Sequence, residues 1–138
     1  MIKLEILANN LRIEVVKIKN YTIQAFLPLF NKIYLIILFV LNIFLWLGAF
    51  YIDSIIEKNI IALHYNVDFG INLIGETKNI YIIPVVGLLV IVINSILYIN
   101  LSVNKDKKII FHVLFATSLF VNIILLSAVT SVYLINFQ

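Results

Sequence analysis

Cysteine is absent from the chain, which excludes a disulfide framework, a thiolate metal site and a cysteine nucleophile. Charge is scarce as well. Asp, Glu, Lys and Arg make up 12% of the residues, against roughly 25% in soluble domains. Two prolines and four glycines leave few places where the backbone is made to turn. Three runs, 33–52, 79–104 and 109–138, lack all four charged types. Each exceeds the ~20 apolar residues that cross a hydrocarbon core about 30 Å thick. A backbone in lipid must satisfy its own hydrogen bonds, so each run reads as a helix. With 63% apolar residues and a mean hydropathy of +1.10, the chain is expected to be a membrane all-α protein. Its transmembrane helices are placed at 30–52, 80–101 and 109–135 within a single domain, 1–138. The first span begins too late and runs too long for a signal sequence, whose apolar region is about 7–15 residues.

The few charges are unevenly placed. Lys3, Arg12, Lys17, Lys19 and Lys32 precede the first span, and Lys105, Lys107 and Lys108 lie between the second and third. Only Lys58 and Lys78 lie between the first and second. The positive-inside rule then predicts a multi-pass protein of the cell membrane with a cytoplasmic amino terminus. The loop 53–79 and the carboxyl terminus fall outside. Positive residues that flank spans, without a basic groove interleaved with aromatics, give no sign of nucleic acid as a partner.

Before the first span, residues 2–6 (IKLEI) and 11–15 (LRIEV) alternate apolar and charged, the period of a half-buried strand. Folded about Leu7 to Asn10, they set Leu4 against Ile13 on one face and Lys3 against Glu14 on the other. Such cross-strand pairs are worth roughly 0.2–1 kcal/mol each. The expectation is a small N-terminal β-hairpin in the cytoplasmic segment 1–27, with an interfacial amphipathic helix as the alternative.

Inside the spans, helical spacing groups Asn31, Leu35, Leu38, Asn42, Trp46, Ala49 and Asp53 on one face of the first helix, its expected inward stripe. The matching stripe of the second is Pro84, Gly87, Ile91, Asn94 and Tyr98. Gly87 permits close backbone approach, and Asn42 and Asn94 are expected to bond across the antiparallel pair. Asn42, Trp46, Gly87 and Asn94 are thus the helix-packing candidates. Asparagine carries a weakened message here, because 28 isoleucines and 14 asparagines are what AT-rich codon usage produces. In the third span Ser118, Asn122, Ser127, Thr130 and Ser131 do not share one face, which argues against a polar pore and for bonds to backbone carbonyls one turn earlier. His112 is expected at the cytoplasmic interface.

The loop 53–79 holds the remaining chemistry. Residues 62–67 read as extended chain, Gly70 and Gly75 as positions of positive φ or sharp turning, and Phe69, Ile71, Leu73 and Ile74 as too apolar for a freely solvated loop. The order His64-Tyr65-Asn66, Gly70, Gly75, Lys78, with Pro84 opening a span, resembles the His-aromatic-Asn, Gly, Lys, Pro pattern of a bacterial membrane domain. That domain is found in SdpI-type immunity proteins and in small uncharacterised membrane proteins. The likeness covers roughly residues 30–100. Asn72 stands where that family usually has Asp, and Ala62 and Leu63 where a proline precedes the histidine. The resemblance implies an outward loop with a structural or binding role for His64, Tyr65, Asn66, Asp68, Gly70, Gly75, Lys78 and Pro84. In its SdpI-type branch it also implies resistance to a peptide toxin.

Function is expected to be non-enzymatic: a structural or interaction subunit of a homo-oligomer or larger membrane complex, needing no cofactor or metal. Partners are the lipid bilayer and other membrane proteins. Immunity to, or sensing of, an extracellular peptide ligand is the alternative. A metal-dependent membrane enzyme using His64, Asp68 and Glu76 is a third reading. No HExxH, GxSxG or phosphate loop supports it.

Overall fold

The computed structural model describes residues 10–17, 20, 28–56, 60–66, 68, 70–101 and 106–137. Three helices carry the chain back and forth: α1 (Leu29–Ile55), α2 (Ile82–Leu101) and α3 (Lys107–Phe137). Between α1 and α2 lies an antiparallel pair, β1 (Ile60–Asn66) and β2 (Gly70–Glu76), followed by a 3₁₀ turn over Thr77–Tyr81 that runs into α2. Pro28 sits at the N-cap of α1, where its carbonyl accepts the first turn's amides from Asn31 (3.0 Å) and Lys32 (3.3 Å). Pro84 lies in the first turn of α2, just after the 3₁₀ turn.

The three candidate spans, Leu29–Ile55, Thr77–Leu101 and Lys107–Phe137, are long and apolar enough to cross a membrane. Only 22% of each span's most apolar stretch lies inside the protein, so most of each helix presents Ile, Leu, Val and Phe outward. Where lipid is the solvent, burying such residues gains little, and helices associate through close packing and interhelical hydrogen bonds.

The buried faces follow a spacing of three and four. On α2 they are Pro84, Gly87, Ile91 and Tyr98, with Asn94 half-buried, which is the expected stripe. On α1 they are Asn31, Leu38, Asn42, Leu45, Ala49 and Ile52. The expected stripe holds at Asn31, Leu38, Asn42 and Ala49, with Leu35 half-buried, but Trp46 is exposed at 38%, Asp53 is half-buried, and Leu45 and Ile52 take their places. The physical reason is supercoiling. A contact seam between long helices advances by 3.5 residues per turn, whereas a straight-helix count drifts by about 20° per heptad.

Two apolar clusters fill the bundle. One, at the hairpin end, joins Leu45, Ala49, Ile52, Ile61, Ile80, Val129 and Val132. The other, towards the opposite end, joins Leu38, Ile91, Tyr98, Phe111 and Phe115. The second is aromatic: Phe111 and Phe115 stack at 4.3 Å, and Tyr98 meets Phe111 edge-on at 5.1 Å.

The N-terminal hairpin is corrected by the fold. Residues 10–17 are helical, so the second of its strands, 11–15, does not form; the first, 2–6, lies outside the described residues. A two-stranded hairpin without a supporting surface is marginal. The alternation LRIEV also sets Leu11 and Val15 four apart on one helical face, so five residues cannot separate the two periods. The strand pair of this protein is instead mid-chain, between α1 and α2.

Candidate functional site

Two polar constructions stand out, one inside the bundle and one capping it. The inner one lies between the apolar clusters. Asn42 of α1 donates through Nδ2 to the Pro84 carbonyl (3.0 Å) and to Asn122 Oδ1 (3.4 Å). Asn122 of α3 donates through Nδ2 to the Gly87 carbonyl (3.4 Å) and to the Ser118 carbonyl one turn back (2.9 Å). One turn further, Asn94 of α2 donates to the Leu114 carbonyl (3.1 Å) and to Ser118 Oγ (2.8 Å). The three helices are thereby tied at one level. Among the described residues no buried side-chain nitrogen or oxygen is left without a partner.

This arrangement corrects the expected Asn42–Asn94 bond. Both residues do join helices, but each bonds elsewhere, because α3 inserts Asn122 and Ser118 between them. Gly87 is small for the same reason: a Cβ there would lie 2.7 Å from Asn122 Oδ1 and 2.9 Å from Asn42 Nδ2. The α3 polar residues bond carbonyls one turn back as expected, including Ser127 to Ile123, Thr130 to Leu126 and Ser131 to Ser127. Ser118 and Asn122 are distinct in being buried, and their four-residue separation placed them on one face of α3. Gly48 was likewise missed. A Cβ on it would come within 2.9 Å of Val129 Cγ1, where α1 and α3 pass closely.

The outer construction is the hairpin. Gly70 opens β2 with φ +73°, a left-handed conformation that favours glycine. Gly75 serves by size, since a Cβ would meet Leu63 Cδ1 at 2.7 Å. The register pairs Ile60 with Glu76, Ile61 with Gly75 and Ala62 with Ile74, then shifts so that His64 faces Leu73 before Tyr65 faces Ile71 and Asn66 faces Gly70. Leu63 is half-buried against the cluster beneath. Besides the packing of Ile61 with Val129 and Val132, one side chain hydrogen-bonds the hairpin to α3: Asn136 accepts from the Ala62 amide at Oδ1 (3.0 Å) and donates through Nδ2 to the Ala62 carbonyl (2.9 Å) and the Val132 carbonyl (2.8 Å). A side-chain amide thus occupies the place of a third strand along the free edge of β1. At the foot of the hairpin the Tyr81 hydroxyl donates to Asp53 (2.9 Å), with Trp46 6.0 Å from the Tyr81 ring.

His64 and Asp68 are exposed on the hairpin, Lys78 is exposed in the 3₁₀ turn, and Pro84 is buried in the inner belt. The hairpin spreads the residues considered for metal chemistry. His64 and Glu76 sit at different rungs, and among the described residues no three His, Cys, Asp or Glu come together. Between the hairpin and the ends of α1 and α3 is a groove of about 530 Å³ lined by Ile55, Ile56, Ile60, Ile74, Asn136 and Phe137, among others.

Fold and site together define a multi-pass membrane protein: three helices bound by an asparagine belt and closed at one end by a hairpin. Compared with known families, curated proteins and solved structures, the chain finds no match in any of the three.

Proposed function

We propose that this is a non-enzymatic integral membrane protein acting as an interaction subunit, in a homo-oligomer or a larger membrane complex, through its hairpin. The amino terminus and the α2–α3 connection face the cytoplasm, where eight of the ten positive residues lie, and the hairpin faces outward.

The observation that carries the reading is the exposure of the hairpin's apolar residues: Ile60 62%, Ile71 50%, Leu73 53% and Ile74 63%. They stand beyond the helix ends, on an element whose exposed histidine and acids place it against polar surroundings. Cross-linking in native membranes tests it. Chains linked to copies or to another membrane protein are expected, and a chain that remains strictly monomeric would refute the reading.

The apolar groove beneath the hairpin favours sensing or immunity towards an extracellular peptide as a second reading, in line with the SdpI-type resemblance. Its volume falls within the roughly 300–1,000 Å³ of small-molecule sites. Cells carrying the protein would then survive a peptide toxin, and His64→Ala or Gly70→Val would abolish survival. Survival unchanged in both variants would count against it.

A further inference from the structure

The hairpin has two edges, and among the described residues only that of β1 is covered. Ala62 spends its amide and carbonyl on Asn136, so both groups point away from β2. Ala62 pairs with Ile74, and in an antiparallel ladder the two members of a pair direct their backbone groups alike, either towards or away from each other. Ile74 therefore presents its N–H and C=O on the far side of β2. The sheet has two strands, with no strand beyond β2 among the described residues. β2, GINLIGE, carries its only charge at Glu76, and Ile71, Leu73 and Ile74 on it are exposed. A largely apolar edge whose one charge lies at its end is a template for another strand, and β2 has no lysine or proline and, among the described residues, no covering strand.

We infer that β2 pairs antiparallel with β2 of a second copy of this chain, joining two hairpins into one four-stranded sheet across a two-fold axis at Ile74. This rests on the interaction-subunit reading above and names its partner. Two observations select a second copy. First, with Ile74 opposite Ile74, Leu73 falls opposite Gly75 and Asn72 opposite Glu76, so the only carboxylate of each strand avoids its own kind. Second, two copies inserted the same way in one membrane hold this edge at the same height, which removes one translational freedom before the strands meet.

The absence of native cysteine makes the test clean. Directly opposed residues that exchange hydrogen bonds have Cα atoms about 5.5 Å apart, within reach of a disulfide. Ile74→Cys oxidised in native membranes is expected to run mostly as a covalent dimer. Asn72→Cys and Glu76→Cys are expected to stay monomeric when expressed singly and to cross-link when co-expressed. Ile74→Pro removes only an outward N–H, and is expected to lower the dimeric fraction about tenfold in chemical cross-linking, with the helical circular dichroism unchanged. Suppose Ile74→Cys fails to link while a cysteine on a helix face such as Phe44 or Ile124 links efficiently. The β2 pairing is then overturned, and the oligomer reading survives through another face. If neither links and chemical cross-linking gives monomer alone, both fall.

Discussion

Gly87 has little freedom in the bundle. Its missing Cβ is the space in which Asn42 and Asn122 meet, and both amides are held by carbonyls that cannot retreat without bending α2. Gly87→Ala is expected to destabilise the protein by roughly 1–3 kcal/mol, the usual cost of overpacking a filled interior. Unfolding in mixed micelles would read it, and a loss below experimental error would show that the belt gives way easily. Asn136 sits at a second unique position. Asn136→Leu strips Ala62 of both partners, and unsatisfied buried groups cost about 1–3 kcal/mol each. Because only the hairpin depends on that amide, faster hydrogen exchange is expected in β1 with exchange in α2 unchanged. Equal acceleration in both would mean that the bundle and hairpin open together.

Among the elements, those whose neighbours are few were legible and those whose neighbours decide were not. The three spans follow from the absence of charge alone. The face of α2 was legible because its stripe of Pro84, Gly87, Ile91, Asn94 and Tyr98 already stepped by three and four. The α1 stripe misplaced Trp46 and Asp53 because nothing local indicates how strongly one helix coils around another. Asn122 and Ser118 were visible as residues, yet they were grouped with Ser127 and Thr130, whose bonds are internal to α3. Only tertiary packing separates the two sets. In the loop, Gly70 was read correctly as a position of positive φ, whereas Gly75 lies inside β2 and is small because Leu63 packs on it, and the pairing of β1 with β2 needs contacts up to sixteen residues apart. The hairpin yields a prediction of its own. At φ +73° Gly70 is where a β-branched side chain is strained. Gly70→Val is expected to cost about 1–2 kcal/mol, the penalty for a left-handed residue. Chemical shifts in β1 and β2 should lose their strand character while α1 to α3 keep theirs. An intact hairpin in this variant would show that the turn tolerates another conformation.

For the molecule as a whole, every proposed role depends on which end meets the cytoplasm. Asp68 and Asp106 are suited to decide it. Both are exposed, they lie at opposite ends of the bundle, and neither belongs to the positive residues that set orientation. Asp68→Cys is expected to react with a membrane-impermeant maleimide in intact cells, and Asp106→Cys only after the cells are opened. The reverse pattern would put the hairpin inside, and an extracellular peptide could then no longer reach the groove. The same charges offer a stronger test of cause. Changing Lys105, Lys107 and Lys108 to Gln leaves four positive residues before α1 and Lys32 in its first turn, against two between α1 and α2. Orientation should persist, since that imbalance still favours a cytoplasmic amino terminus. Removing Lys17, Lys19 and Lys32 as well leaves only Lys3 and Arg12 against Lys58 and Lys78, and the two Asp→Cys positions should then label as a mixture. A single unchanged orientation in that variant would mean that something other than the lysines holds the protein upright.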